Sequence, residues 1–221
     1  MCNKVFVDSL IFDMDGTLWD AVDSYAEIWN VTLDEEGVEH DIVTREDLLR
    51  LMGWYLDDIL ATLVPQETGN RPLLKKVMDN EIKMMPLLGG ILYPGVKDLI
   101  AVLSQKYKLF MVSNCGPGGL ENFVRYNHFE PYFTDVLSHG GTGKSKAENI
   151  KELISRYNLR NAVYVGDTQG DIDNAHLAGV PAIWASYGFG TAVKHADAEI
   201  TSFSDIEQAI EKLNQKKQTT R

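Results

Sequence analysis

The sequence predicts an α/β fold in which a doubly wound parallel sheet is interrupted by an all-helical segment. Short, continuous apolar runs alternate with helical stretches, as expected of strands covered by helices on both faces. This alternation breaks between about residues 19 and 88, where no strand pattern is found. Polar residues follow the first three apolar runs, and doubly wound sheets bind their ligands at that edge.

Four apolar runs are predicted to be the strands of the sheet. They are Leu10–Phe12, Leu109–Val112, Ala162–Val165 and Pro181–Trp184. Helical stretches precede the last three runs, at Gly95–Gln105, Ser145–Tyr157 and Asp171–Ala178. Strands that alternate with helices indicate parallel pairing with crossover connections.

The interrupting segment is predicted to be helical throughout. In "TREDLLRLMG", Thr44 is a predicted N-cap with Asp47 three residues later, and Gly53 is a predicted stop. "LDDILATLV" and "RPLLKKVMDNEIKMM" give two further helical patterns. We therefore expect a core formed by residues 1–18 and 90–221, with a helical domain at 19–89.

Composition and charge exclude several classes of function. The net charge of −11 over 221 residues argues against nucleic acid or an anionic membrane as a partner. Two cysteines, Cys2 and Cys115, form no disulfide framework, and no apolar run approaches the roughly 20 residues of a membrane span. The short polar N-terminus lacks the features of a secretory signal. We expect a cytoplasmic protein, monomeric or weakly dimeric.

Four aspartates are placed to bind a cation. Asp13 and Asp15 follow the first apolar run in "LIFDMDGTLWD", and Asp167 and Asp171 follow the third in "YVGDTQGDID". Carboxylates that converge at one crevice repel one another unless a cation lies between them. Oxygen ligands of this kind suit a hard cation such as Mg²⁺.

Other polar residues at the same edge suit a phosphate group. Ser113 and Asn114 end the second run, and Lys144 and Lys146 lie at a helix start before the third. A hydroxyl, an ammonium group and exposed N–H groups bind phosphate oxygens. A carboxylate beside a metal-bound phosphate is a candidate nucleophile.

These motifs resemble those of the haloacid dehalogenase-like hydrolase superfamily. "DMDGT", "VSN", a lysine at a helix start and "GDTQGD" occur in that family's order. "LYPGVKDLIAVLSQKYKLFMVSN" and "ASYGFG" resemble segments of its phosphoglycolate phosphatase-like members. The resemblance covers the whole chain and implies a Rossmann-like core, a small helical cap at 19–89, a Mg²⁺ cofactor and a phosphoaspartate intermediate.

The resemblance also implies roles for the two aspartates of the first motif. Asp13 is expected to attack phosphorus, and Asp15 to protonate the leaving oxygen and then take a proton from water. The implied Mg²⁺ ligands are Asp13, the Asp15 carbonyl and Asp167, with Asp171 in support.

The implied phosphate contacts come from three places in the chain. Ser113, with Asn114, and a lysine are expected to bind the phosphoryl oxygens. Gly16 and Thr17 are expected to turn the chain and offer N–H groups. Ser145 is a predicted N-cap with Glu148 three residues later, so Lys144 precedes that helix and Lys146 opens it. The stretch "SKAENI" resembles family members in which the lysine directly precedes a small residue and an acid, and this resemblance favours Lys146.

Three functions agree with these residues. The favoured one is a phosphatase for a small phosphorylated metabolite such as phosphoglycolate, a sugar phosphate or a nucleotide. The others are a phosphomutase of the β-phosphoglucomutase type and a catalytically weak regulatory binding protein. Trp54 and Tyr55 lie where the cap should approach the site, and their bulk favours a sugar phosphate or nucleotide over a very small acid.

Overall fold

The protein is described by a computed structural model that covers residues 7–219, so both ends of the predicted core, with Cys2, lie outside it. The strands are β1 (Ser9–Phe12), β2 (Trp19–Asp20), β3 (Ile91–Leu92), β4 (Lys108–Ser113), β5 (Phe133–Ser138), β6 (Ala162–Gly166), β7 (Ala182–Ala185) and β8 (Ala198–Ile200). The helices are α1 (Val22–Glu35), α2 (Arg45–Leu49), α3 (Leu56–Leu63), α4 (Arg71–Leu88), α5 (Val96–Ser104), α6 (Gly119–Tyr126), α7 (His139–Thr142), α8 (Lys146–Tyr157), α9 (Gln169–Ala178) and α10 (Ile206–Thr219), with 3₁₀ turns at Pro65–Glu67 and Phe203–Asp205.

Six strands form one parallel sheet in the order β5-β4-β1-β6-β7-β8. The central strand β1 is buried on both faces: Leu10 and Phe12 pack into one apolar layer, and Ile11 packs into the other. Successive side chains of a strand point to opposite faces, so a strand covered on both sides has to be apolar throughout. The predicted α/β class is confirmed.

The helices α1 to α4, called the helical insert below, have an apolar cluster of their own. Trp29 from α1, Leu60 from α3 and Val77 from α4 are buried together in it. Asn114 at the end of β4 donates a hydrogen bond to the carbonyl of Gly53, so the insert contacts the carboxyl edge of the sheet. The division of the chain into two domains at residues 18 and 90 stays a prediction.

Four strands are absent from the sequence-based assignment. The edge strand β5 carries Thr134 and Asp135, which break the apolar run, and β8 has three residues. The expectation of no strand after Trp19 is wrong, because the two residues of β2 pair antiparallel with β3. Two-residue strands are too short for a periodic pattern to reveal.

The helix predicted up to Gly53 is shorter than expected. Thr44 and Asp47 form the predicted capping box, but α2 ends at Leu49 and a turn follows. Gly53 adopts a positive φ of 85°, which suits glycine at the exit from that turn. Within residues 7–219, no helix has the length and apolar character needed to cross a membrane.

Candidate active site

The first pair of aspartates continues from the central strand. The Asp13 N–H donates to the Val165 carbonyl of β6 at 2.9 Å, so Asp13 extends the sheet by one residue beyond β1. Gly16 then adopts a positive φ of 81°, and the Thr17 N–H donates to the Met14 carbonyl to close a turn. This turn holds Asp13 and Asp15 at the carboxyl edge, between the ends of β4 and β6.

Asp13 is buried beside a lysine without being saturated by donors. Lys146 Nζ lies 3.1 Å from Asp13 Oδ1, yet this oxygen has no aligned hydrogen bond within residues 7–219. Burial and the nearby Asp171 raise the pKa of Asp13 to about 7, against the opposing charge of Lys146. An unsaturated carboxylate oxygen in a buried position is available for a ligand.

Asp171, by contrast, is saturated by donors from the protein. Its Oδ1 accepts from Lys146 Nζ at 2.6 Å and from the Tyr164 hydroxyl at 3.1 Å. Its Oδ2 accepts from the N–H and the hydroxyl of Thr168, which completes the capping box of α9. Burial opposes ionisation, but Lys146 and the Thr168 donors outweigh it and hold the pKa of Asp171 below its ordinary value.

Asp167 is fully buried and held from two sides. Its Oδ1 accepts from the Thr17 hydroxyl at 3.2 Å, and its Oδ2 accepts from the N–H groups of Phe189 and Gly190 at 2.8 and 3.3 Å. Burial raises the pKa of Asp167 well above its ordinary value, and the charges of Asp171 and Asp13 add to this effect. The segment Ala185–Gly190 thus supplies donors to the site.

Three glycines allow the backbone to approach Asp167 this closely. A Cβ atom on Gly16 would lie 2.2 Å from Asp167 Oδ2, and one on Gly190 would lie 2.0 Å from the Asp167 carbonyl oxygen. On Gly188, a Cβ atom would lie 2.2 Å from the carbonyl oxygen of Gly16. Glycine is therefore required for steric reasons at Gly188 and Gly190 of "ASYGFG", because neither position has room for a side chain.

A group of three carboxylates fits a divalent cation. Asp13, Asp167 and Asp171 each offer an oxygen, and these oxygens lie within 4.8 Å of one another. Lys146 is a single positive charge among them, and burial, together with the negative charge of neighbouring aspartates, raises the pKa values of Asp13 and Asp167. The oxygen donors and the unsaturated Asp13 Oδ1 suit a hard cation such as Mg²⁺.

The Asp15 side chain points to a different set of partners. Its Oδ1 accepts from Trp19 Nε1 at 2.9 Å and its Oδ2 from the Tyr25 hydroxyl at 3.4 Å. Burial and the neighbouring charge of Asp13 raise its pKa to about 7. The carboxyl group of Asp15 is therefore held apart from the three-carboxylate group, on the side of the helical insert.

The two candidate lysines lie in different environments. Ser145 and Glu148 form the predicted capping box of α8. Lys146 opens that helix and is buried against Asp13 and Asp171. Lys144 is exposed and pairs with Glu152, and it does not line the cavity at the aspartates.

The end of β4 supplies the remaining candidate phosphate contacts. Ser113 is buried, and its hydroxyl accepts from the Cys115 N–H at 3.2 Å. Asn114 donates to the Gly53 carbonyl at 2.7 Å, while its Oδ1 is buried without a partner in the described chain. Burial, with the negative charge of Asp15, raises the pKa of the Cys115 thiol far above its ordinary value, which disfavours the thiolate that a cysteine nucleophile needs.

A cavity of about 60 Å³ lies between the sheet edge and the helical insert. The core contributes the candidate catalytic side chains, and the insert contributes mostly apolar walls. The core residues are Asp13, Asp15, Ser113, Asn114, Cys115, Gly116 and Lys146; the insert residues are Tyr25, Trp29, Leu48, Met52, Gly53, Trp54, Leu56, Ile59 and Glu81.

Trp54 and Tyr55, which sequence analysis places near the site, differ in position. Trp54 lines the cavity and is 50% exposed, whereas Tyr55 packs on His139 with the ring centroids 4.2 Å apart. Sequence reasoning missed the contributions of Tyr25 and Glu81. An acidic residue on the apolar face of a predicted helix was the available signal for Glu81.

A sequence model of the family described as haloacid dehalogenase-like hydrolase matches residues 10–185. The chain belongs to this family. The predictions of the family and of a phosphoric monoester hydrolase are thereby confirmed. The matched residues begin at the first strand and include all four aspartates, Ser113, Asn114 and both lysines.

Curated relatives align over almost the whole hydrolase chain. A phosphoglycolate phosphatase of Synechococcus elongatus is 28% identical over 94% of this chain and 99% of its own. A phosphoglycolate phosphatase of Aliivibrio fischeri is 26% identical over 89% of this chain and 91% of its own.

Solved structures share the fold at lower identity. A haloacid dehalogenase-like family hydrolase of Streptococcus pneumoniae has a TM-score of 0.78 at 19% identity, over 91% of this chain and 97% of its own. CbbY of Rhodobacter sphaeroides, solved in complex with phosphate, has a TM-score of 0.75 at 18% identity, over 91% and 96%. At this identity the likeness shows the fold alone, and it agrees with the sheet described above.

Proposed function

We propose that this hydrolase is a Mg²⁺-dependent phosphatase that acts on a small phosphorylated metabolite through an aspartyl phosphate on Asp13. The observation that carries the proposal is the buried Asp13 Oδ1, which lines the cavity beside Lys146 and has no aligned donor within residues 7–219. A carboxylate oxygen placed in this way can attack a phosphoryl group in the cavity.

Asp13 acts as the nucleophile in the first step. Its Oδ1 forms a bond to phosphorus while the bond from phosphorus to the leaving oxygen breaks, and Asp15 gives that oxygen a proton. In the second step Asp15 takes a proton from water, the water oxygen attacks phosphorus, and inorganic phosphate leaves Asp13. Trp19 and Tyr25 orient the Asp15 carboxyl group for both transfers.

Lys146 and Ser113 bind the oxygens of the transferring group. Both are buried at the cavity, where a fixed ammonium and a hydroxyl stabilise charge better than in water. Asp171 holds Lys146 in place through a 2.6 Å hydrogen bond. Lys144 is a solvated charge in this scheme.

Asp13, Asp167 and the Asp15 carbonyl would hold Mg²⁺, and Asp171 would support it. The cation, when bound, offsets the negative charge that the carboxylates and the phosphoryl group bring together. Asp167 is kept in position for this role by donors from Thr17, Phe189 and Gly190.

The size of the cavity favours a substrate with a small leaving group. Its volume of about 60 Å³ is the space of a few water molecules. A phosphomutase has to hold a bisphosphate, yet Lys146 is the one basic side chain that lines this cavity in the described part of the chain. Hydrolysis of a monoester is therefore favoured. The cytoplasmic location, the absence of nucleic acid and membrane partners, and the monomeric or weakly dimeric state stay predictions.

The test compares Asp13→Asn with Asp98→Asn in hydrolysis of p-nitrophenyl phosphate. Asp13→Asn should lower kcat by about 10³-fold or more, because the nucleophile is lost. Asp98 is exposed on α5, so its variant carries the same chemical change away from the site. Circular dichroism checks the fold of both proteins. Activity of Asp13→Asn within tenfold of the parent would contradict the proposal.

A further inference from the structure

Glu81 occupies an unusual position on α4 of the helical insert. Val77 and Met85, four residues before and after it, are buried, so Glu81 lies on the apolar face of this helix. Residues four apart in a helix share a face, and an acidic residue on such a face is normally paired. Within residues 7–219, however, the Glu81 carboxylate has no hydrogen bond and no ion pair.

The Glu81 side chain reaches the cavity at the loop that follows β4. A Cβ atom built on Gly116 would lie 3.3 Å from Glu81 Oε2, and Asp15, Tyr25 and Cys115 line the cavity beside it. Burial and the negative charge of Asp15 raise the pKa of Glu81 to about 8. The same surroundings oppose any further negative charge at this end of the cavity.

The helical insert offers no positive charge to offset these carboxylates. Its basic residues all lie away from the cavity, and four of them pair with carboxylates elsewhere. The six arginine and lysine residues of the insert are Arg45, Arg50, Arg71, Lys75, Lys76 and Lys83. Lys146 is the basic side chain of the core that reaches the cavity, and it is engaged by Asp13 and Asp171.

We infer that Glu81 selects the substrate's leaving group, and that the accepted alcohol is not anionic and carries a hydroxyl or ammonium donor for this carboxylate. The inference rests on the proposed phosphatase function and names the substrate class of the same cavity. It separates this chain from relatives whose names specify phosphoglycolate, which carries a carboxylate at the far end of its leaving group.

Two physical effects act in the same direction. A donor at the end of the leaving group satisfies a carboxylate that otherwise has no partner in a half-buried position. A carboxylate there would enter surroundings that already raise the pKa values of Asp15 and Glu81, and above the Glu81 pKa it would face two like charges without a cation, which costs several kcal/mol. The remaining walls, including Trp29, Leu56 and Ile59, are apolar and give no compensating contact to an anion.

The test uses three two-carbon monophosphates that differ in the terminal group, assayed about one pH unit above the pKa of Glu81 so that its carboxylate is ionised. They are O-phosphoethanolamine, 2-hydroxyethyl phosphate and 2-phosphoglycolate, which end in an ammonium, a hydroxyl and a carboxylate. The wild-type enzyme should have a kcat/KM for the first two that exceeds the value for 2-phosphoglycolate by about tenfold or more. The ammonium and hydroxyl substrates show which donor Glu81 prefers.

Glu81→Gln tests the residue itself, because glutamine keeps the side-chain size and removes the charge. The ratio of kcat/KM for O-phosphoethanolamine to that for 2-phosphoglycolate should fall by about tenfold or more in this variant. The control is Glu27→Gln on the exposed face of α1, which changes the insert's net charge equally but lies outside the cavity. Its ratio should equal that of the wild type.

The outcomes separate the inference from the proposed function. Turnover of p-nitrophenyl phosphate together with a wild-type preference for 2-phosphoglycolate would overturn the inference and leave the phosphatase in place. An equal change of the ratio in Glu27→Gln and Glu81→Gln would also overturn it. Absence of turnover on p-nitrophenyl phosphate and on all three substrates would contradict the proposed function, and the inference with it.

Discussion

Asp167 and Asp171 of the core and Glu81 of the helical insert differ in how completely the protein satisfies their carboxylates. Asp171 accepts four hydrogen bonds and Asp167 accepts three, whereas Glu81 accepts none from the described residues. Saturated side chains hold fixed positions before a substrate arrives. The core thus fixes the geometry of the reaction, and the insert leaves its polar group free for the substrate.

Removal of the metal should have the largest effect on this fixed geometry. A chelator should abolish turnover, because Asp13, Asp167 and Asp171 are left with a single buried lysine between them. Asp167→Asn should raise the Mg²⁺ concentration needed for half-maximal rate, and Asp98→Asn serves as the control.

Thermal unfolding tests Mg²⁺ binding at this site independently of activity. Mg²⁺ at a hundredfold excess over its Kd should stabilise the wild-type protein by about 2.7 kcal/mol, since it binds the native state alone. The gain should be smaller in Asp167→Asn. Full turnover in excess chelator, or an equal gain in both proteins, would contradict the assignment.

Substitution of the two lysines should give the next largest effect, and the two losses of activity should differ. Lys146→Ala should cost on the order of 2–4 kcal/mol of transition-state stabilisation, the size of one lost oxyanion contact. Lys144→Ala should cost well under about 1 kcal/mol, because it removes an exposed pair with Glu152. The measurement is kcat/KM for p-nitrophenyl phosphate on protein whose folded fraction has been determined. Equal small losses in the two variants would mean that neither lysine binds the phosphoryl group.

A glycine substitution should have the smallest effect, and its primary readout is stability. Gly188→Ala places a methyl group against the Gly16 carbonyl and Asp167, so the backbone has to shift at a cost of about 1–3 kcal/mol. Gly170→Ala on α9 is the matched control, because its nearest atom lies 3.6 Å away and alanine favours a helix by up to about 1 kcal/mol. Urea unfolding measures both. Equal stability of the two variants would show that the close approach at Gly188 is dispensable.

The sequence predicted the core better than the insert, for reasons visible in single residues. Asp13 and Ser113 directly follow an apolar run and Asp167 follows one after a single glycine, so parallel pairing alone brings them to one edge. The capping box at Ser145 gave the start of α8 and left both Lys144 and Lys146 beside it, and the resemblance of "SKAENI" favoured Lys146. The apolar runs and the capping box are local sequence patterns, and the folded protein contains the strands and the helix start that they predict.

The residues that sequence reasoning missed depend on contacts between distant segments. Tyr25 and Glu81 reach the cavity because α1 and α4 pack over the edge of the sheet, an arrangement that no local pattern specifies. The stretch "ASYGFG" was identified by its resemblance to family members, but the steric role of its glycines becomes visible only when the position of Asp167 is known. The strand β5 was hidden by Thr134 and Asp135, whose polarity an edge strand tolerates.

The pairing of β2 with β3 has a consequence for the length of the segment between them. The strand β2 precedes the helical insert and β3 follows it, so the two ends of the insert lie side by side, about 4.8 Å apart. Because closing a loop between neighbouring ends costs only about 0.6 kcal/mol for each doubling of its length, segments of very different size can be mounted there. The β2–β3 pair therefore keeps the two ends of the helical insert together whatever the length of the chain between them.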